Sequence, residues 1–178
     1  MGVADAFAFK RLNVPMQHGQ TGRDDGVREV GWSQFGELAR ELAERIGREF
    51  SPQVILGVVN GGVFLGGALA VPLRAEFHSV RVAKFGKRSV AEPLASLAGK
   101  SVLVVDDVTV SGNTLAATCA AARKAGATET RTATLVVRPN GNHADFFALE
   151  TKDLVVFGWD YQLHGGAPGS DDPGEVGV

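Results

Sequence analysis

The decisive stretch of this sequence is VLVVDDVTVSGNTL, residues 102–115. It opens with four apolar residues that are mostly β-branched, and such a run without alternation is typical of a strand buried on both faces of a parallel sheet. Two carboxylates, Asp106 and Asp107, follow directly, and a short segment of small residues leads into an alanine-rich helix that begins at Thr114. The stretch therefore predicts a strand, an acid pair, a loop and a helix in succession.

A loop and a helix in this arrangement attract anions. The backbone N–H groups of the loop and the N-terminus of the helix both favour phosphate. The two acids are consecutive, so at most one of them points along a given face of the strand. That geometry suits a ribose diol, with one carboxylate to each hydroxyl, better than a metal cage of two carboxylates. The alternative is an acidic turn in which Asp106 and Asp107 are simply solvated.

The stretch closely resembles the phosphoribosyl-pyrophosphate (PRPP) motif of the type I phosphoribosyltransferases, which has four hydrophobic residues, two acids and a Thr-Gly-x-Thr-like loop. The resemblance implies that Asp106 and Asp107 are catalytic residues that orient the ribose hydroxyls and take part in binding magnesium. It also implies a 5′-phosphate site made by the loop: Thr109, Val110, Ser111, Gly112, Asn113 and Thr114. Many purine enzymes of the family carry an Asp at the position of Val110.

Length and composition exclude several other classes of protein. The 178 residues suffice for one domain with a core, and a formal net charge of −2 leaves no polybasic footprint for nucleic acid. The single cysteine, Cys119, rules out an internal disulfide and a zinc cluster, and its place in a helix favours a packed thiol. No apolar run reaches about 18 residues, which argues against a membrane span. The N-terminus shows no signal pattern, so a cytoplasmic location is expected.

The expected transferase domain covers residues 32–162. A polar N-terminal arm, 1–31, precedes it, and the composition of the tail at 165–178 predicts disorder. A small hood is expected from about 138–153, together with part of the arm.

A second anion-binding loop is predicted after a buried strand at 54–59. That strand runs into Asn60, Gly61 and Gly62, and an apolar helix follows. Paired glycines permit backbone conformations closed to other residues, with N–H groups directed at an anion. The alternative is a turn that packs strand and helix tightly. In the resembling family this loop binds pyrophosphate, often through a non-proline cis peptide, and Arg or Lys frequently stands where Asn60 does.

The alternating segment 78–85 predicts one further strand, and a loop is expected from 86 to 99. The position of this loop matches the flexible loop of the family, which closes over PRPP. The resemblance implies that Lys84 and Arg88 approach the pyrophosphate. The alternative is a run of solvated charges.

Among the subfamilies, the chain most resembles the bacterial and archaeal xanthine-guanine type. The cues are Trp32, the two glycines of the second loop, Arg138-Pro139 and Gly158-Trp159-Asp160. In that type a basic residue before the proline reads the 6-oxo group of the purine, which implicates Arg138. The resemblance also assigns Asp160 to a magnesium-bound water, and it assigns part of the base site to the last strand: Leu154, Val155 and Val156.

Each of these assignments has a structural alternative. Arg138 can be a surface base at the end of a strand, Trp159 can belong to the core, and Asp160 can cap the turn. The family usually places an aromatic side chain on the purine near Leu154, and this chain has none there.

Strands and helices alternate along the sequence, which predicts an α/β fold with a mostly parallel central sheet flanked by helices and ligands at the carboxyl ends of its strands. Further strands are expected at 132–137 and 154–161, with an irregular segment at 140–151. The resemblance implies the type I phosphoribosyltransferase fold with a small hood.

The implied activity is transfer of the 5-phosphoribosyl group of PRPP to a nucleobase, a 6-oxopurine, with release of pyrophosphate. This reaction belongs to nucleotide salvage and uses Mg²⁺. The expected partners are PRPP and the base in a homodimer or higher homo-oligomer, with no nucleic acid and no membrane. The alternative is a non-catalytic regulatory protein of the same fold that binds PRPP or a nucleotide. A Rossmann-type dehydrogenase or methyltransferase is disfavoured because no Gly-x-Gly-x-x-Gly is present.

Overall fold

The structure is a computed structural model that describes residues 26–85, 88–139, 141 and 144–160, without the side chains of residues 84, 85 and 88. Predictions for the arm before residue 26 and for the tail at 165–178 lie outside the described residues. The elements are β1 (Val27–Val30), α1 (Trp32–Glu49), β2 (Val54–Val58), α2 (Gly62–Leu73), β3 (Glu76–Val80), β4 (Val82–Phe85), β5 (Arg88–Ala91), β6 (Ser101–Thr109), α3 (Asn113–Lys124), β7 (Glu129–Val137), β8 (Phe146–Glu150) and β9 (Leu154–Phe157).

The central sheet has five parallel strands in the order β3-β2-β6-β7-β8, which confirms the predicted α/β fold. The middle strand, β6, begins with the apolar run of the decisive stretch, and its residues 102–105 are fully buried. Leu103 and Val105 pack on the α1–α2 side, while Val102 and Val104 pack on the α3 side. An unbroken apolar run is required because helices cover both faces of this strand.

Helix α3 covers its face of the sheet with Leu115, Cys119 and Ala122, all buried. Burial raises the pKa of the Cys119 thiol, so the cysteine is the packed, unreactive side chain that its position in the sequence predicts. None of the three helices in the described part of the chain is long and apolar enough to cross a bilayer.

The prediction of a single strand at 78–85 is wrong, because the chain leaves the central sheet at Arg81. Strand β3 ends at Val80, and β4 pairs instead with β5 in an antiparallel hairpin. The backbone N–H of Arg81 donates to Glu92 Oε1 (2.9 Å), and that of Glu92 donates to the Arg81 carbonyl (3.0 Å). The expected loop at 86–99 therefore contains strand β5. Alternation continues across the break, so periodicity alone does not reveal it.

The irregular segment expected at 140–151 contains β8, the edge strand beside β7. Asp145 fixes its start, because its Oδ2 accepts hydrogen bonds from the N–H and the hydroxyl of Thr132 (both 2.7 Å). The sequence shows little alternation here, and pairing with β7 determines the strand.

A separate two-stranded parallel sheet is formed by β1 and β9, with Val27 opposite Leu154 and Val30 opposite Phe157. Within the range expected for the hood, 138–153, β8 belongs to the central sheet. The extent of the hood stays a prediction.

Candidate active site

A cavity of about 420 Å³ opens at the carboxyl ends of β2 and β6, beside the start of α2 and the loop before α3. Its walls combine the acid pair, both predicted anion-binding loops and the end of the described chain: Val58, Val59, Asn60, Gly61, Val82, Asp106, Asp107, Val108, Thr109, Val110, Ser111, Gly112, Thr114, Trp159 and Asp160. Segments far apart in sequence thus meet where an α/β sheet usually binds its ligand.

The acid pair lies in the last part of β6, which continues to Thr109 instead of ending before the acids. The Asp107 N–H donates to Asp106 Oδ1 (3.0 Å), and the Val108 N–H donates to Asp107 Oδ1 (2.8 Å). Both acids are half-buried and line the cavity, so the alternative of a fully solvated acidic turn does not hold.

Burial raises the pKa of Asp107 above its ordinary value, and the nearby charge of Asp160 adds to the rise. The hydrogen bond from the Val108 N–H opposes this shift without cancelling it. A carboxylate held in such surroundings is poised to interact with a hydroxyl, a cation or a developing positive charge.

The glycine loop lies directly against the acid pair. A Cβ on Gly61 would lie 1.7 Å from Asp107 Oδ2, and one on Gly62 would lie 2.4 Å from the Val105 carbonyl oxygen. Only glycine permits this approach, so the loop is a turn that packs β2 and α2 tightly, as the alternative states. The same packing places Asn60 and Gly61 in the cavity wall. The Val59–Asn60 peptide bond is cis, as the resemblance implies.

The predicted 5′-phosphate loop runs from Thr109 to the N-cap of α3, Gly112. Gly112 has φ +73°, a left-handed conformation that favours glycine. The Asn113 N–H donates to Ser111 Oγ (3.4 Å), and Thr114 also lines the cavity. Because the first N–H groups of a helix lack partners within it, this end of α3 provides donors for an anion.

Trp159 belongs to the core, as one of the sequence alternatives states. The ring of Phe157 stacks on that of Trp159, with 4.5 Å between the ring centroids and 8° between the planes. The ring of Phe64 also stacks on Trp159, at 4.7 Å and 13°. Trp159 is only 8% exposed, although it lines the cavity. Asp160 caps the turn, since its Oδ2 accepts a hydrogen bond from the Phe157 N–H (2.8 Å). It also lines the cavity, and its role toward a magnesium-bound water stays a prediction.

The predicted base-binding residues are absent from the wall of this cavity. Leu154 is 57% exposed on β9, and Val155 and Val156 are half-buried on the same strand. Arg138 donates hydrogen bonds to main-chain carbonyls of Thr151 and Asp153. The side chains of Lys84 and Arg88 lie outside the described residues. Val82, which no sequence pattern indicates as a site residue, reaches the cavity because β4 leaves the central sheet.

The described residues contain no cluster of three or more His, Cys, Asp or Glu side chains that could hold a metal ion by themselves. Two neighbouring carboxylates nevertheless fit Mg²⁺, which commonly takes one or two carboxylates and completes its shell with water and substrate phosphates. The donor set therefore suits a magnesium ion that arrives with a diphosphate.

The chain belongs to the phosphoribosyl transferase domain family, whose family model matches residues 31–164. This match confirms the family expected from the PRPP motif. Phosphoribosyltransferases are glycosyltransferases, so the enzyme class expected from the sequence is the class of this family.

The curated relatives of this chain are named for different activities. The chain is 34% identical over 104 residues to the orotate phosphoribosyltransferase of Sulfolobus acidocaldarius, covering 58% of this chain and 53% of the relative. It is 35% identical over 117 residues to the adenine phosphoribosyltransferase of Saccharopolyspora erythraea (57% and 64%). It is 30% identical over 104 residues to the transcriptional regulator GfcR 2 of Methanosarcina barkeri (48% and 50%). The chain thus spans about half to two thirds of these relatives.

Among solved structures, the purine phosphoribosyltransferase of Pyrococcus horikoshii Ot3 superimposes with a TM-score of 0.69 at 28% sequence identity. The alignment covers 75% of this chain and 94% of that protein. The fold is therefore that of a phosphoribosyltransferase.

Proposed function

We propose that this protein is a PRPP-dependent phosphoribosyltransferase that transfers the 5-phosphoribosyl group to a nucleobase and releases pyrophosphate. The observation that carries the proposal is the convergence of the acid pair, the glycine loop and the α3 loop in one cavity. Each supplies what one part of PRPP requires: carboxylates for the ribose hydroxyls, and backbone donors for the pyrophosphate and the 5′-phosphate.

The roles follow from position. The loop from Thr109 to Thr114 would bind the 5′-phosphate, with the N-terminus of α3 directed at it. Asn60, Gly61 and Gly62 would contact the pyrophosphate, with Lys84 and Arg88 as further predicted contacts. Asp106 and Asp107 would orient the ribose hydroxyls and hold Mg²⁺, with Asp160 acting through a water. Bound magnesium would neutralise charge on the diphosphate leaving group.

The chemical step breaks the bond between the ribose carbon and the pyrophosphate and forms a bond from that carbon to a base nitrogen. Positive charge builds on the sugar as the leaving group departs. The negative charge of Asp106 and Asp107 would favour that transition state, and binding of PRPP and the base side by side would align the two reactants. Alignment of two substrates can contribute about 7–11 kcal/mol to lowering the barrier.

Val110 is the main departure from the purine enzymes, because it stands where many of them carry an Asp. A missing proton acceptor costs about 10²–10⁴-fold in rate. At about 1.4 kcal/mol per tenfold, this loss is about 3–5 kcal/mol and smaller than the gain from alignment, so the substitution does not by itself abolish catalysis.

A 6-oxopurine is the base that the xanthine-guanine resemblance favours, and the similar Pyrococcus protein is named as a purine phosphoribosyltransferase. Because two relatives are named for orotate and adenine, these bases are also candidate substrates. Nucleotide salvage, a cytoplasmic location and a homo-oligomeric state are further parts of the proposal.

The second candidate is a non-catalytic regulatory protein that binds PRPP or a nucleotide. Two observations favour it: Val110 at the acid position, and the 30% identity to a protein named as a transcriptional regulator.

Pyrophosphate release from PRPP and Mg²⁺, measured with hypoxanthine, guanine, xanthine, adenine and orotate in turn, separates the two candidates. Turnover with any base supports the enzyme and identifies its substrate. PRPP binding without turnover would favour the regulatory protein. A protein that neither binds PRPP nor releases pyrophosphate would contradict both.

A further inference from the structure

Arg138 follows β7 directly, and its side chain contacts main-chain atoms of another segment. Its Nη1 donates hydrogen bonds to the carbonyl oxygens of Thr151 (3.3 Å) and Asp153. Both carbonyls belong to the turn that joins β8 to β9. Hydrogen bonds from a charged donor are among the stronger ones in proteins, so the guanidinium ties the end of β7 to this turn.

Hydrogen bonds also join the β8–β9 turn to Gly26, directly before β1. The Asp153 N–H donates to Thr151 Oγ1 (3.1 Å), which shapes the turn. Asp153 Oδ1 accepts a hydrogen bond from the Gly26 N–H (3.2 Å), and the Leu154 N–H donates to the Gly26 carbonyl (2.8 Å). The β1–β9 sheet therefore begins at the turn that Arg138 holds.

Strand β9 connects the β8–β9 turn to the cavity wall. It pairs with β1 over its whole length, and the Gly158 N–H continues the ladder by donating to the Val30 carbonyl (3.0 Å). The last residue of β9, Phe157, stacks on Trp159 and donates its N–H to Asp160. Trp159 and Asp160 form one wall of the cavity.

We propose that Arg138 is a positioning residue, which holds the β8–β9 turn and through β9 sets the Trp159–Asp160 wall, instead of reading the 6-oxo group of a base. The kinetic part of this inference rests on the proposed transferase function. The structural part does not, because it concerns contacts within the chain.

The kinetic test compares Arg138→Met, which removes the donors, with Arg138→Lys, which keeps a charged donor. A positioning role predicts that Arg138→Met lowers kcat/KM about tenfold for every accepted base, leaving the ratios between bases unchanged within about twofold. Arg138→Lys is expected to recover part of the loss. A loss confined to bases with a 6-oxo group, with full activity on the others, would overturn the proposal.

A spectroscopic test needs no turnover. The chain has two tryptophans, so Trp32→Phe leaves Trp159 as the sole indole fluorophore. In that background Arg138→Met is expected to shift Trp159 emission to longer wavelength, and Arg138→Lys to shift it less. Arg40→Ala, which removes an exposed arginine paired with Glu44 (2.7 Å), is the control and should leave the emission unchanged.

The outcomes of the two tests are distinguishable. An unchanged Trp159 spectrum in Arg138→Met would refute the positioning role. If the wild-type protein turns over no base, the proposed function fails while the spectrum still decides the role of Arg138. Should Arg138→Met fail to fold, Arg138→Gln replaces it. The Gln side chain is shorter and uncharged and cannot reproduce the two contacts of the guanidinium, so an emission shift is expected and an unchanged spectrum would count against the proposal.

Discussion

The Asp107 carboxylate lies against Gly61 and close enough to Asp160 for their charges to interact, in surroundings that raise its pKa. Burial, to which the charge of Asp160 adds, destabilises the charged form of Asp107 in the ligand-free protein. A ligand that brings hydroxyls or a cation would relieve this cost, so the residue favours binding over stability.

Asp107→Asn should therefore raise the stability of the ligand-free protein and weaken PRPP binding or turnover. Because the folded pKa is raised above the ordinary value of 3.8, the cost of the charge is absent below that value and grows as the pH rises through the folded pKa. Melting curves should show a higher Tm for Asp107→Asn at pH 8 and a smaller gain at pH 4.5. PRPP binding or turnover should fall about tenfold or more.

Glu41→Gln provides the control for this substitution, since Glu41 is exposed on α1 and far in sequence from the acid pair. It should change Tm little at either pH. Equal turnover by wild-type protein and Asp107→Asn would contradict the assignment of the acid pair.

Gly61 and Gly67 make a matched pair on the same segment. Gly61→Ala would place a Cβ 1.7 Å from Asp107 Oδ2 and displace that carboxylate, whereas a Cβ on Gly67 would meet nothing within 4 Å. We expect Gly61→Ala to reduce kcat/KM by at least about tenfold, and Gly67→Ala to stabilise α2 by about 0.5–1 kcal/mol with activity retained. Steady-state kinetics and thermal melts measure both. Full activity in Gly61→Ala would show that the loop and the acid need not touch.

At the scale of elements, the loop before α3 depends on the left-handed conformation of Gly112. The left-handed conformation costs an alanine about 1–2 kcal/mol, and this strain would deform the loop. Gly112→Ala should therefore raise the KM for PRPP. Gly112→Asn should lose less, because Asn tolerates this conformation better.

Gly99 has nearly the same φ, +74°, and does not line the cavity. Gly99→Ala should therefore cost a similar amount of stability while leaving the KM for PRPP unchanged. If both alanine variants raised this KM equally, the effect would be one of general strain and the phosphate assignment would lose its support.

The elements also show where periodicity reaches its limit. The buried run of β6 predicts its strand, because two covered faces demand apolar residues at every position. Periodicity does not show the break between β3 and β4, because the Arg81–Glu92 contacts that lead the chain out of the sheet join residues eleven apart. It does not show strand β8 either, since that strand depends on pairing with β7 and on the hydrogen bonds of Asp145.

At the scale of the whole molecule, binding of PRPP to the folded state should stabilise the protein. At a ligand concentration of about 100 times Kd the gain is about 2.7 kcal/mol, and each kcal/mol raises Tm by about 2–4 °C for a chain of this size. Thermal melts with PRPP and Mg²⁺ should show this rise, and EDTA should remove most of it. The absence of any rise with PRPP, with or without the metal, would argue against the proposed ligand.

The sequence alone determined the α/β class, the strand–acid–loop–helix unit and the family, because each depends on residues that are neighbours in the chain. It also indicated two anion-binding loops. Only the tertiary structure decided that Asp107 rests on Gly61, that Trp159 is covered by Phe64 and Phe157, and that Arg138 contacts the β8–β9 turn. These contacts join segments distant in sequence, and their energies come from packing and burial, which no local pattern records.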